Sequence, residues 1–171
     1  MRNLSLLLLF FSLSSCTRYF YVVRHAEKAV VNSSDAMMSS DPTLTEKGKQ
    51  RAEALKTELL NKKIGYIFST NTIRTKSTAE PTRAYFNLAV ETYPPFPDSA
   101  FFDHLKSLKK NVLIVGHSNT VDDIINRLCD TVKLPADLPD SEYDNLYIIK
   151  KSGKNFRFEQ KKYGMPSALI Q

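Results

Sequence analysis

Two histidines and two arginines stand where chemistry is expected. In "YFYVVRHAEKA", Tyr19 to Ala29, an aromatic and β-branched run ends on Arg24 and His25 instead of on turn residues. Such a run reads as a buried strand, and the C-terminal end of a strand in an open α/β sheet is where ligands bind. "NVLIVGHSNT" repeats the pattern, ending on Gly116 and His117, with the glycine allowing close backbone approach. "YIFSTNTIRT" ends on Ser69 and places Arg74 near the start of a helix. If these strands lie side by side in a parallel sheet, Arg24, His25, Arg74 and His117 converge at one edge. Two planar, permanently charged guanidiniums suit a compact dianion such as a phosphoryl group. A histidine beside it can act as nucleophile through a phosphoramidate. The rival role for paired histidines is metal binding, but two guanidiniums would repel a divalent cation. The chain also has no HExxH and no clustered carboxylates, so neither metal nor cofactor is expected.

The elements that must position these residues alternate along the chain. After the first strand comes a long polar connection, "HAEKAVVNSSDAMMSSDP", of a length usually reserved for function. "TLTEKGKQRAEALKTELL" then reads as a helix, with Thr43 and Glu46 spaced as a capping box and Ala52, Leu55 and Leu59 on one face. "IGYIFST" is a short strand, and "TIRTKSTAEPTRAYF" a helix in which Pro81 should cause a distortion or an interruption. "LAVETY" is a strand, the "PPFPD" loop leads into a helix through Phe101, Leu105 and Leu108, and "NVLIVGH" reads as a central parallel strand. A helix through "TVDDIINRLC" precedes a proline-punctuated loop, and "NLYIIK" and "NFRFEQ" form a closing hairpin. Alternating strands and helices predict a three-layer α/β/α sandwich around a mostly parallel sheet.

The chain has 171 residues, a length suited to one domain with a substantial core, and its 42% hydrophobic and 25% charged content is ordinary for a globular protein. The first residues, "MRNLSLLLLFFSLSSC", differ in kind. One cation at Arg2, an apolar stretch from Leu4 to Leu13 and small residues thereafter read as a secretory signal too short to span a bilayer comfortably. "LSSC" resembles the lipobox of bacterial lipoproteins, in which the signal is removed before a cysteine that is then acylated. A plain signal peptide that happens to contain a cysteine is the alternative. The lipobox reading divides the chain into a signal at 1–15, a lipidated Cys16 with a short tether at 16–18, and a domain at 19–171. It predicts a chain held on a bacterial membrane, on its periplasmic or surface side, by acyl chains on Cys16. Cys129, the other cysteine, reads as a small core residue on a helix.

Net charge is +6, and Arg2 is the leader's only contribution to it. No Lys/Arg stripe with interleaved aromatics suggests nucleic-acid binding. The lysines at 62, 63, 109, 110 and around 150 read as a solvated surface, and His104 as a structural histidine.

The ordered motifs resemble those of the histidine phosphatase superfamily, the phosphoglycerate-mutase-like fold. "VVRHAEK" resembles the opening Arg-His motif, and "LTEKGKQRA" the "LTxxGxxQA" helix start. "STNTIRTKSTAEP" is similar to the pattern carried here by Ser69, Arg74, Thr78 and Ala79, and "VLIVGHSNT" carries the second histidine. The resemblance runs from Tyr19 to about Lys150. It implies that His25 is the nucleophile, with Arg24, Arg74 and His117 holding the phosphoryl oxygens and stabilising transition-state charge. A neutral His25 needs an acceptor, such as a backbone carbonyl, for its other N–H. Ser118 stands where one branch of the family places an acidic residue directly after the second histidine. The resemblance otherwise implies a carboxylate on a loop beyond the second helix, where Asp98 is the candidate general acid and Glu91 lies in the same region, with Glu27, Asp122 and Asp123 near the motifs. A weak acid would favour substrates with good leaving groups. The expected activity is a metal-independent phosphatase acting on a phosphorylated small molecule or a phosphoprotein, phosphohistidine included. The alternative is a non-catalytic phosphate-binding envelope protein, and mutase activity is less favoured because long insertions are lacking.

Overall fold

In the first strand, β1 (Thr17–Arg24), Phe20 and Val22 point to one side of the sheet and Tyr21 and Val23 to the other, and all four are buried. A strand buried on both faces needs a layer over each. The computed structural model, which describes residues 17–30, 41–153 and 155–167, supplies both layers. Its elements follow in the order α1 (Glu46–Leu59), β2 (Ile64–Ser69), α2 (Ile73–Phe86), β3 (Val90–Thr92), α3 (Ser99–Ser107), β4 (Asn111–Gly116), α4 (Val121–Cys129), β5 (Asn145–Ser152) and β6 (Asn155–Lys162). Tyr21, Val23, Ile67, Leu113 and Val115 pack with Leu55, Leu59 and Ala79 of α1 and α2. Phe20, Val22, Phe68, Val112 and Ile114 pack with Phe101, Leu105, Ile124 and Leu128 of α3 and α4. The fold is a three-layer α/β/α sandwich.

The sheet order is β3-β2-β4-β1-β5-β6. The first four of these strands are parallel, and the β5–β6 hairpin joins β1 antiparallel. Register aligns the ends that matter: Arg24 pairs with Gly116, and Ser69 with Val115. The C-terminal ends of β1, β4 and β2 therefore share one edge.

Local details differ from the sequence reading in three places. The N-cap of α1 is Thr45, whose hydroxyl accepts Gly48 N at 3.0 Å, whereas Thr43 offers its carbonyl to Ala29 N at 2.9 Å. The helix starts two residues later than a Thr43 cap would have it because the incoming chain is paired with the segment after β1. Second, α2 continues through Pro81, held at its start by the Thr72 hydroxyl and ended by a left-handed Asn87. Third, Thr17 and Arg18 are strand residues: Thr17 pairs with Ser152, and Arg18 with Lys151. Thr17 and Arg18, read as tether residues, are thus already part of the sheet. The signal at 1–15 and Cys16 lie outside the described residues.

Candidate active site

His25 leaves β1 with its backbone still tied to the sheet, its N–H donating to the Gly116 carbonyl at 2.9 Å. Its ring Nδ1 lies 2.8 Å from the Ala26 carbonyl. A neutral imidazole in that position donates from Nδ1 and keeps its lone pair on Nε2. Burial is the main cause of a lowered pKa, down to about 3; the Ala26 carbonyl opposes this, and Arg24, His117 and Arg74 add to it. The ring is therefore neutral at ordinary pH.

His117 follows β4 and faces His25 edge-on, with ring centroids 5.4 Å apart. Its Nε2 is 2.8 Å from Thr70 Oγ1, and Arg74 Nη2 is 3.4 Å from its Nδ1. A guanidinium N–H can only donate, so Nδ1 accepts and the proton sits on Nε2, donating to Thr70. Thr70 passes the interaction to Thr75 Oγ1 at 3.0 Å. Burial, then Arg74 and Arg24, push His117 down to about 4. Gly116 gives the space this turn needs: a Cβ there would stand 3.0 Å from the Tyr93 hydroxyl, which donates to the Val115 carbonyl.

Arg74 lies in the first turn of α2. Its Nη1 is paired with Asp41 at 3.1 Å, and the same carboxylate accepts Ile73 N at 2.9 and 3.0 Å. Asp41 therefore caps α2 and orients Arg74 together. Thr78 links this helix to the segment that carries His25: its hydroxyl accepts Ala26 N at 2.9 Å and donates to the Arg74 carbonyl at 2.8 Å.

Arg24 has a second occupation. Its Nη1 donates to the Pro139, Asp140 and Glu142 carbonyls, and its Nη2 to the Asp140 carboxylate at 3.2 Å and the Tyr143 hydroxyl at 3.4 Å. The guanidinium also stacks 4.2 Å from the Tyr143 ring centroid, and that ring lies 6.0 Å from His25. Arg24 thus fastens the 139–143 segment over the site. The Nε atoms of Arg24 and Arg74 are both buried without a hydrogen-bond partner among the described residues. Buried donors of this kind call for an acceptor, and two of them beside a free imidazole lone pair suit an oxyanion.

The carboxylates named from the sequence lie elsewhere or are engaged. Asp98 is the N-cap of α3, accepting Phe101 N at 2.9 Å, and no hydrogen bond joins it to His25, Arg74 or His117. An exposed cap one residue before a helix already has its carboxylate occupied. Glu91 pairs with His104 at 3.6 Å. Glu27 is buried in a two-oxygen pair with Arg51, which also donates to the Tyr163 and Met165 carbonyls. Asp122 is buried with Oδ1 unpartnered, and desolvation raises its pKa. Asp123 is exposed on α4, and the Ser118 carbonyl accepts Leu138 N at 2.9 Å. Among the described residues no carboxyl is hydrogen-bonded to either site histidine, and no three His, Cys, Asp or Glu side chains are grouped as metal ligands. Cys129 is buried, and burial raises its thiol pKa.

Asp41, Thr70, Thr78 and Tyr143 are the residues that sequence reasoning missed as site components. Thr78 stood inside a quoted motif, and Asp41 directly precedes the Pro42 that closes the long connection, so each had a local signal of position but none of partner.

A mostly parallel sheet thus brings two histidines and an arginine-bearing helix to one edge, an arrangement suited to holding a phosphoryl group. Residues 20–103 match the family model of the histidine phosphatase superfamily (branch 1), a segment that holds Arg24, His25 and Arg74. The chain belongs to that superfamily. The fold is similar to the protein histidine phosphatase SixA solved with tungstate, at 20% identity and TM-score 0.65 over 84% of this chain and 96% of that one. It is also similar to phosphoglycerate mutase from Bacillus anthracis, at 15% identity and TM-score 0.62 over 86% and 94%. Alpha-ribazole phosphatase from Shigella flexneri gives 15% identity and TM-score 0.61 over 82% and 94%. No curated protein sequence matches this chain significantly.

Proposed function

We propose that the chain is a metal-independent phosphatase in which His25 is the nucleophile. Nε2 attacks phosphorus, the bond from phosphorus to the leaving atom breaks, and a phosphoramidate forms on His25. Water then attacks phosphorus, the N–P bond breaks, and inorganic phosphate leaves with the imidazole restored to neutrality. Arg74 supplies donors to the phosphoryl oxygens, the unpartnered Nε–H of Arg24 is another, and the Nε2–H of His117 becomes a third once it turns from Thr70 to the bound anion. The observation that carries this reading is the 2.8 Å contact from His25 Nδ1 to the Ala26 carbonyl, which leaves Nε2 as the lone pair in the site.

Among the described residues no carboxyl is hydrogen-bonded to the site histidines, an arrangement suited to substrates with good leaving groups, aryl phosphates and phosphohistidine among them. The SixA neighbour, a protein histidine phosphatase by its name, supports phosphohistidine as a substrate class. We read Cys16 as the acylated residue that holds the chain at the cell envelope, which confines a phosphoprotein substrate to that compartment.

The test is aryl phosphate hydrolysis by the full chain in detergent with a chelator present, against His25→Ala. Turnover by the wild type alone, with an acid-labile phosphoryl group trapped on His25, is the expected result. Full activity of His25→Ala would overturn the mechanism. The engagement of both Arg24 Nη atoms by the 139–143 segment favours one second reading, a phosphate-binding protein without turnover. Vanadate binding with no hydrolysis at any pH would select it.

A further inference from the structure

The sheet has two poles, and the sequence charges them differently. The site occupies the pole where β1, β2 and β4 end. At the opposite pole lie the starts of those strands and the β5–β6 turn, since Thr17 pairs with Ser152, and Ile64 with Asn111. Lys62 and Lys63 immediately precede β2, and Lys109 and Lys110 immediately precede β4; all four are exposed. Lys150, Lys151 and Arg157 flank the turn of the hairpin, where Lys150 and Arg157 are cross-strand partners. Arg18 stands beside Lys151 and donates to the Lys106 carbonyl, tying β1 to the end of α3. The segments 17–19, 60–64, 106–111 and 150–157 contain no Asp or Glu. Acidic neighbours stand at its margin: Glu159 on β6 shares a surface depression with Lys150 and Arg157, Glu58 is paired with Lys161, and Asp103 stands 4.0 Å from Lys106.

We infer that this basic pole is a docking surface for an anionic lipid bilayer and turns the catalytic edge away from the membrane. Two further observations fix the occupant. Thr17, the first residue of β1, lies in this pole, so the apolar leader with Cys16 joins the domain there. Because Thr17 is already hydrogen-bonded into the sheet, no slack separates Cys16 from the basic surface. A lipid anchor and a polybasic face together form the two-signal arrangement that gives stable membrane attachment. The geometry then sets the height of the site. Seven residue steps from Thr17 to Arg24 at about 3.3 Å each place Arg24, and with it the site edge, roughly 23 Å from the docked surface. The substrate is thus a molecule that approaches from the aqueous side, not a headgroup in the membrane that holds the protein. This orientation rests on the envelope reading of Cys16, whereas the charge of the pole does not.

The full chain, purified from its membrane, would be reconstituted into vesicles of phosphatidylcholine alone or with phosphatidylglycerol. Lysines would be labelled with a water-soluble acetylating reagent, and the intact mass would report acylation of Cys16. Labelling of Lys62, Lys63, Lys109, Lys110 and Lys150 should fall severalfold in the anionic vesicles and return at high salt, while Lys28, Lys49 and Lys76 near the catalytic edge label unchanged. Protection of the pole without an acyl mass would keep the docking surface and discard the anchor. An acyl mass with equal labelling at both poles would overturn the docking surface. Protection by an RNA oligonucleotide but not by anionic vesicles would also overturn it, reassigning the pole to nucleic acid.

Discussion

His25 Nδ1 and the Ala26 carbonyl are 2.8 Å apart, so the His25 ring is held by the residue that follows it. Burial, with Arg24, His117 and Arg74 nearby, keeps the ring neutral down to about pH 3, although the Ala26 carbonyl favours the proton. Because the folded pKa lies below the ordinary 6.5, the unfolded chain binds the proton more readily. This contribution to stability is complete above about pH 6.5 and is lost as pH falls towards 3. Each such histidine adds a slope of up to about 1.4 kcal/mol per pH unit in that window. Acid titrations of unfolding should show a shallower pH dependence for His25→Ala than for the wild type, and equal slopes would remove the buried neutral histidine from the account.

Asp41 competes with a bound phosphoryl group for Arg74, since its carboxylate holds Nη1 at 3.1 Å. Asp41→Asn keeps an acceptor for Ile73 N but removes the charge. Inorganic phosphate or vanadate should then bind about fivefold more tightly, a change of about 1 kcal/mol appropriate to a partly exposed pair. Weaker oxyanion binding in Asp41→Asn, measured by calorimetry, would show that orienting Arg74 outweighs the competition. Asp41→Ala should in addition lower stability by about 1 kcal/mol through loss of the α2 cap.

Thr78 is the joint between α2 and the chain leaving β1 at His25. Thr78→Val removes the acceptor of Ala26 N and the donor to the Arg74 carbonyl, leaving a buried backbone N–H unpaired. Loss of about 1–3 kcal/mol in chemical denaturation is expected, with Thr78→Ser restoring most of it. Stability equal to wild type in Thr78→Val would mean that Ala26 N finds another acceptor.

Much of this arrangement was legible in the sequence because its signals are local. The unbroken apolar runs before Arg24 and His117 mark strands buried on both faces, and the polar pairs that end them mark the sheet edge. The partners were not legible, because they come from remote parts of the chain. Asp41 reaches Arg74 across 33 positions, Glu27 meets Arg51 across 24, and Arg24 meets the 139–143 segment more than 110 positions on. No periodicity relates such pairs, and only folding reveals that Asp98 caps a helix. The lysines at 62, 63, 109, 110 and 150 look like scattered surface charge until the sheet register gathers them at one pole.

Gly48 shows how closely the segment after His25 is packed on α1. A Cβ there would lie 2.2 Å from the Glu27 carbonyl oxygen, a backbone atom that cannot swing aside. Gly48→Ala must therefore push α1 from the β1 exit, at a cost of about 1–3 kcal/mol. Because Glu27 stands two residues from His25, aryl phosphate turnover should fall even where the protein remains folded. A fall in stability with unchanged kcat and KM would show that the displacement is absorbed before it reaches His25.

The orientation of the domain on a membrane makes a last prediction about distance. If the basic pole lies on the bilayer and His25 sits at the far end of β1, lengthening the connection between Cys16 and Thr17 should not change access to a soluble substrate. A ten-residue Gly/Ser insertion should leave kcat/KM for an aryl phosphate within about twofold in phosphatidylglycerol vesicles, since basic contacts still hold the pole down and flexible linkers add reach without direction. The same insertion combined with Lys62→Gln, Lys63→Gln, Lys109→Gln and Lys110→Gln should free the domain, lowering protection of Lys150 from acetylation while soluble turnover stays constant. A gain in soluble-substrate turnover of tenfold or more on inserting the linker alone would mean that the short connection holds the catalytic edge against the bilayer, with the domain lying the other way up.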